Sequence, residues 1–472
     1  MRLYFYGLVM LIRKFILRQN TGRVICSFAE KMGVVYIKFA QILAMQNVGN
    51  LFTEADRTQL AQICDHCNPL PFTEIKQQLE REYGCSLDQK FQSIDPNPLG
   101  SASISQVHRA VLKTGETVAV KVKRADLQRR IDRDIQQIRR LIHRFGRLVS
   151  FRNLLGSDKA LDNYLDWIVQ ETDFANECQN IIAYHAFADS VNGKVPGTVQ
   201  IKAPRLFSDF CTDNVIVMEF ITNPTISELE LTAENKQRIA RAENDYIRLS
   251  FYALFHKMPV VFHGDPHGGN IYLDEQGNIG FLDMGLIFQF SAEESDLTRQ
   301  LFLNAYTGKV ERIVDYLFSD SEFKDVDRGQ LIRDMQVKID QLHEMPVAQF
   351  FVEMIGVFTQ YDMAVPQFLF KMAKAFLALF GLGTITGNIA DTKALLADQV
   401  TDFYLRQAVD DVEGTLKCGL KLAPHVLFAT VSRGPLQGIG ASLAGLADFG
   451  QQLHDTAENC REAIELLSNG LR

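Results

Sequence analysis

The chain has 472 residues, 47% of them hydrophobic and 22% charged, and a net charge of −8. That length and ordinary globular composition exclude broad disorder and allow two or three domain cores. The acidic balance excludes a general nucleic-acid binder, so no nucleic-acid partner is expected, although a local basic face remains compatible with it.

In chain order, the ten residues Leu3–Ile12 are apolar or Gly and lie between Arg2 and Arg13-Lys14. The run is too short to span a bilayer, and no small-residue cleavage site follows it. It suits either a membrane interface or the protein's own body. From Gly22 to about Ala61 the apolar spacing of Val34, Ile37, Ile42 and Met45 is helical. Cys64-Asp-His-Cys67 has no second pair to complete a zinc site, and the other cysteines are dispersed, which fits a reducing cytoplasm. After Pro69-Leu-Pro71 the pattern predicts a helix from Phe72 through Glu82, ended by Gly84.

A strand-rich section follows. Phe91–Leu99 leads to the small-residue stretch Gly100-Ser101-Ala102-Ser103-Ile-Ser105, then a turn at Lys113–Glu116 and the strand Thr117-Val-Ala-Val-Lys121-Val. Small residues between strands let backbone N–H groups approach phosphate. A lysine inside a β-branched strand is costly to bury without an anion. Lys121 therefore reads as a phosphate contact, against the plainer reading of an edge-strand lysine facing solvent. Residues 126–149 predict an amphipathic helix with one apolar stripe and one arginine-rich face, either a solvated face or a surface for anionic lipid or an acidic partner. The next helix carries Asp166-Trp167-Ile-Val-Gln-Glu171-Thr-Asp173-Phe-Ala-Asn-Glu177-Cys-Gln-Asn180. Glu171 and Glu177 diverge around a continuous helix, whereas Asp173 and Glu177 share a face. Strands are expected at Pro204–Phe207 and Val215–Ile221, with a hinge at Thr222-Asn-Pro224.

Residues 260–287 hold the densest chemistry. An apolar run ends in His263-Gly-Asp265-Pro-His267-Gly-Gly-Asn270, then come Ile271–Asp274, a turn at Glu275–Asn278, the strand Ile279–Leu282 and Asp283-Met-Gly285. Strand, Gly/Asn turn and strand predict a β-hairpin, whose closure brings Asn270 beside Asp283. Asp265 lies within reach of the same spot. One carboxamide and two carboxylates form an oxygen-only site suited to Mg²⁺. The order and spacing match the catalytic and metal loops of the protein-kinase fold. In that frame Asp265 orients the attacking hydroxyl, Asn270 and Asp283 hold the metal on ATP, and the backbone of Glu219–Ile221 meets the adenine. Residues 291–410 are periodic helices, and Ala375–Ala390 is too short and interrupted for a membrane span.

These motifs together resemble the AarF/UbiB family of atypical kinases from about residue 30 to residue 390. Tyr36-Ile-Lys38-Phe-Ala40-Gln41 is similar to its Lys-x-Gly-Gln signature, with Ala40 in place of Gly. Pro98–Gln106 resembles its alanine-rich nucleotide loop, Glu171-Thr-Asp173 its Glu-x-Asp helix, and His263–Asn270 with Asp283-Met-Gly its catalytic and metal loops. The resemblance implies that Lys121 pairs with Glu177, that Asp265 is the catalytic aspartate, and that Asn270 and Asp283 bind Mg²⁺. It also implies that Lys38 and Gln41 reach the active site as regulatory groups, with Glu171 or Asp173 as partners. The expected fold is α+β, a bilobal protein-kinase-like fold with a small β-rich N-lobe, a mainly helical C-lobe and a helical N-terminal extension. The expected divisions are 1–75, 76–222, 223–400 and a helical tail at 401–472. The expected function is an ATP- and Mg²⁺-dependent atypical kinase or ATPase in quinone-lipid metabolism, cytoplasmic and peripheral at the inner face of a membrane. The alternatives are an aminoglycoside/choline-kinase-type phosphotransferase and a nucleotide-binding scaffold.

Overall fold

The computed structural model describes residues 21–37, 68–317 except 103, 126, 146–164, 167 and 171, then 326–341, 347–387 except 362 and 364, and 399, 400 and 403. Helix α1 (Thr21–Met32) is followed, at the start of the small lobe, by α2 (Phe72–Tyr83). Pro71 opens α2, and Gly84 closes it at φ 64°, a left-handed position glycine reaches without strain.

Strands β1 (Phe91–Ser101), β2 (Ser105–Leu112) and β3 (Thr117–Lys123) form successive antiparallel hairpins, and β5 (Val215–Glu219) pairs with β3. Alternation in β3 explains its two buried faces. Val118, Val120 and Val122 join Val215, Val217 and the α2 residues Ile75 and Leu79 in one apolar cluster. Ala119 lies on the opposite side with Ile216 and Met218, in a second cluster that continues into the large lobe.

Helix α3 (Leu127–Phe145) buries Leu127, Ile131, Ile135 and Ile138 and exposes Arg129, Arg130, Arg133 and Arg140. The upper part of its expected stripe, beyond Phe145, lies outside the described residues. Helix α4 (Phe174–Val191) corrects one expectation: Asp173 is its N-cap, accepting from the N–H groups of Ala175 and Asn176. The helix begins after a break at Thr172-Asp173, so the 171–177 stretch is not one continuous helix. A short-side-chain acid at a helix start satisfies orphan N–H groups, and that use prevails over sharing a face with Glu177.

Strand β4 (Ile201–Lys202) pairs in parallel with the large-lobe segment Ile279–Gly280. The strand expected at Pro204–Phe207 is instead an irregular segment beside β5, bonded through Phe207 N to Val217 O and a single bridge at Leu206. Helix α5 (Ala233–Phe255) then leads to β6 (Val261–His263), β7 (Ile271–Leu273), β8 (Ile279–Phe281) and β9 (Ile287–Gln289). These make two small sheets, β4-β8-β7 and β6-β9.

Helices α6 (Ala292–Tyr306), α7 (Val310–Leu317), α8 (Arg328–Asp340), α9 (Val347–Gln360) and α10 (Gln367–Thr386) complete the large lobe. Phe251, Phe302, Phe351 and Phe376 are buried and pack ring against ring at its centre, with centroids 5.1–6.0 Å apart. No described helix is long and apolar enough to cross a membrane. The molecule is a bilobal α+β fold of the protein-kinase-like kind.

Candidate active site

The cleft between the lobes is organised on one buried amine. Lys121 projects from the inner face of β3, and its Nζ lies 2.7 and 2.9 Å from the Glu177 carboxylate oxygens and 3.1 Å from Asp283 Oδ2. Burial alone would lower its pKa, but the Asp283 and Glu177 carboxylates outweigh that and hold the ammonium above its ordinary range. Burial pushes the Glu177 carboxyl up to about 7 against the pull of Lys121. Asp283 keeps 44% of its side chain exposed, so the Lys121 ammonium and the Gly285 N–H prevail over desolvation and hold it well below the usual carboxylate range. Helix α4 is tied down once more where Asn180 Nδ2 donates to Met284 O at 2.8 Å.

The hairpin forms because its turn is written into the sequence. Asp274 accepts from the N–H groups of Gln276 and Asn278, and Gly277 takes φ 81°. Ile271 pairs with Phe281, and Leu282 N donates to Asn270 O at 2.8 Å, setting Asn270 across from the start of Asp283-Met-Gly. Asn270 Nδ2 donates to Asp265 O at 3.3 Å, so the loop closes on itself. Gly264 is required here, because a Cβ would lie 2.6 Å from Leu286 Cγ and 3.0 Å from Leu286 O. Gly268 is anchored: Ser227 N donates to Gly268 O at 3.0 Å.

His263 ties the two loops together, a role the sequence reading left unassigned. Its Nδ1 accepts from Asp265 N at 3.1 Å, which leaves Nε2 as the N–H that donates to Asp283 O at 2.5 Å. Burial keeps the imidazole neutral, with its pKa below the ordinary value. The signal available in sequence was a histidine ending a fully apolar strand.

The small-residue stretch is tighter than expected. Gly100 and Ser101 belong to β1, paired with Val107 and Gln106, and Ala102 N donates to Ser105 O at 2.9 Å. Arg124 donates to Ser101 Oγ, Ala102 O and Asn68 O, at 2.8, 2.8 and 3.0 Å. Gln106, fully buried, accepts from Leu70 N at 2.8 Å and donates to Leu70 O at 3.2 Å. Neither Arg124 nor Gln106 was singled out from the sequence. The visible hint was the alternation Gln106-Val-His108, which puts two polar side chains on one face of a strand.

At the hinge, Glu219 N donates to Arg205 O at 2.8 Å and its carboxylate accepts from Arg205 N. Its N–H is thus committed to the protein, while Ile221 is half-buried just beyond β5. The structure joins Lys121, Glu177 and Asp283 directly and links Asp265, Asn270 and Asp283 through backbone bonds. Asp173 serves as a cap, and Lys38, Gln41, Ser103 and Glu171 lie outside the described residues. Among the described residues no three His, Cys, Asp or Glu side chains gather as a metal cage. Asn270 and an ionised Asp283 instead offer two oxygen ligands, which fits Mg²⁺, an ion that takes few protein ligands and completes its shell with phosphate and water.

A family model described as the ABC1 atypical kinase-like domain matches residues 62–317, more than half of the chain. An uncharacterized protein of Mycobacterium tuberculosis is 28% identical over 372 residues, covering 74% of this chain and 71% of that protein. Proteins named "Probable protein kinase UbiB" from Shewanella pealeana and Pseudomonas aeruginosa are 27% and 26% identical over 367 and 364 residues. Each match covers 75% of this chain, which spans only 64% and 66% of their lengths. A solved Mycobacterium tuberculosis protein in complex with erythromycin aligns with a TM-score of 0.47 and 21% identity, covering 76% of this chain and 89% of that one. The buried lysine pair, the closed hairpin and the family match converge: this chain belongs to the ABC1, or AarF/UbiB, family of atypical kinases.

Proposed function

We propose that the chain binds ATP with Mg²⁺ in the cleft between the lobes and transfers or hydrolyses the terminal phosphoryl group. The observation that carries this reading is the Lys121–Glu177–Asp283 cluster, an ammonium held between two carboxylates at 2.7–3.1 Å. In this reading Lys121 meets the α- and β-phosphates, positioned by Glu177. Asp265 orients the attacking oxygen, and Asn270 and Asp283 hold the metal, which when bound neutralises phosphate charge. The stretch Gly100–Ser103 borders the phosphates, with the Ala102 N–H already committed to Ser105 O, and the chain at Glu219 and Ile221 borders the base. Commitment of the Glu219 N–H to Arg205 leaves its carbonyl and the backbone of Ile221 to meet the base.

The acceptor we favour is a quinone-type lipid or precursor, or water, reached at the cytoplasmic face of a membrane. The resemblance of the motifs to the AarF/UbiB family and the exposed arginine face of α3 support that finer reading. A variant Asp283→Asn, folded by circular dichroism, should lose Mg²⁺-dependent ATP binding in calorimetry while wild type retains it. Normal Mg-ATP affinity in that variant would remove the metal assignment. Anionic vesicles added to the wild-type turnover assay should raise the rate, and indifference at low salt would remove the membrane contact.

A further inference from the structure

We propose that a cavity behind the hinge binds a small organic cation carrying a primary ammonium group. The cavity, about 340 Å³, opens between the C-terminal half of α4, the β4 and β7 edges of the small sheet and the hinge residues from Glu219 to Asn223. Its lining includes neither Lys121, Asp265, Asn270 and Asp283 nor any residue of β1, β2 or β3, so it is separate from the phosphate end of the cleft. Glu219 and Ile221 alone serve as a common wall.

The floor of the cavity is built around a missing Cβ. Tyr272 and Lys202 both pair with Gly280, from opposite neighbouring strands. A Cβ on Gly280 would lie 2.1 Å from Tyr272 Cζ and 2.4 Å from its hydroxyl oxygen, so the ring crosses the sheet at a place only glycine leaves open. Tyr272 is 3% exposed, yet among the described residues nothing hydrogen-bonds its hydroxyl. The ring is buried while the hydroxyl is left to meet solvent or a ligand in the cavity that Tyr272 lines. Burial, then the Glu219 and Asp274 carboxylates, push the phenol up to about 12, so it stays protonated at neutral pH and can both donate and accept.

Charge selects the occupant. Lys202 Nζ is 2.6 Å from Asp274 Oδ2, and Asp274 also accepts from Gln276 and Asn278, so that pair is internally satisfied. Asp189 and Glu219 also line the wall, and among the described residues neither forms an ion pair. Two uncompensated carboxylates repel an anion and attract an ammonium, while the Tyr272 hydroxyl and the Asn223 amide supply hydrogen-bond partners. The ammonium could belong to a free amine or to an ethanolamine lipid headgroup; the chemistry recognised is the same.

The test is calorimetric titration of the full chain with spermidine, with vesicles containing phosphatidylethanolamine as a second arm. One-to-one saturable binding is expected from one of them, and which one identifies the source. Tyr272→Phe, which keeps the ring over Gly280, should weaken it roughly tenfold, and Asp189→Asn by a similar factor. Equal binding by both variants, equal binding of the neutral 1,8-octanediol, or saturable binding by neither probe would overturn the proposal. Competitive displacement of spermidine by ADP would also overturn it, because the cavity would then belong to the nucleotide site. A failure of ATP to bind in the cleft would leave this test unaffected.

Discussion

His263 has both ring nitrogens committed, one accepting from Asp265 and the other donating to Asp283. Each bond contributes about 1 kcal/mol, and leaving the buried partners unpaired adds about 1–3 kcal/mol, so His263→Leu should cost roughly 2–4 kcal/mol in thermal unfolding. The pH sign follows from the imidazole being held neutral, its folded pKa below the ordinary 6.5. Its contribution is complete above pH 6.5 and is lost as the pH falls, because a proton on Nδ1 abolishes the acceptor. The stability gap between wild type and His263→Leu should therefore narrow below pH 6.5, and a gap constant from pH 8 to 5 would contradict the assignment. The residue identities at the site were legible because each carries a rare chemical demand: an amine in a β-branched strand, and acids spaced by a hairpin. The role of His263 was not, because it acts through backbone atoms whose positions only the folded loops define.

Among the elements, the hairpin was readable from its turn residues alone, since Asp274 and Gly277 satisfy a turn locally. What it packs against was not. Nothing in the sequence announces that the ring of Tyr272 lies over Gly280, a contact between strands set by register. Gly280→Ala should force that ring aside and cost about 1–3 kcal/mol by overpacking, measured by denaturant unfolding. An unchanged midpoint would show that the ring has room to move. The break before α4 was also hidden. Acidic residues at helical spacing look like a continuous face, and only tertiary structure decides that Asp173 caps a new helix instead.

At the scale of the molecule, the segment before α2 is fastened to the β1–β2 connection by Arg124 and Gln106. Arg124→Ala should release both ends: amide exchange should rise at residues 68–70 and 100–102, and ATP affinity should fall about three- to tenfold. Unchanged exchange at 68–70 would show that Gln106 holds the segment alone. The two-lobed plan was legible from the kinase-like loops and the family resemblance they carry, with a strand-rich stretch before the hinge and a mainly helical chain beyond it. The fastening was invisible, since it depends on a glutamine amide gripping both the N–H and the C=O of one residue far away in sequence.

The small-lobe sheet has one further consequence, because its inner face belongs to the same apolar cluster as the large lobe. Parting the jaws would uncover that shared surface, at about 2.5 kcal/mol for every 100 Å² wetted. Wide yawning is therefore expensive for this protein, and cargo must enter through shallow breathing of the cleft's rim.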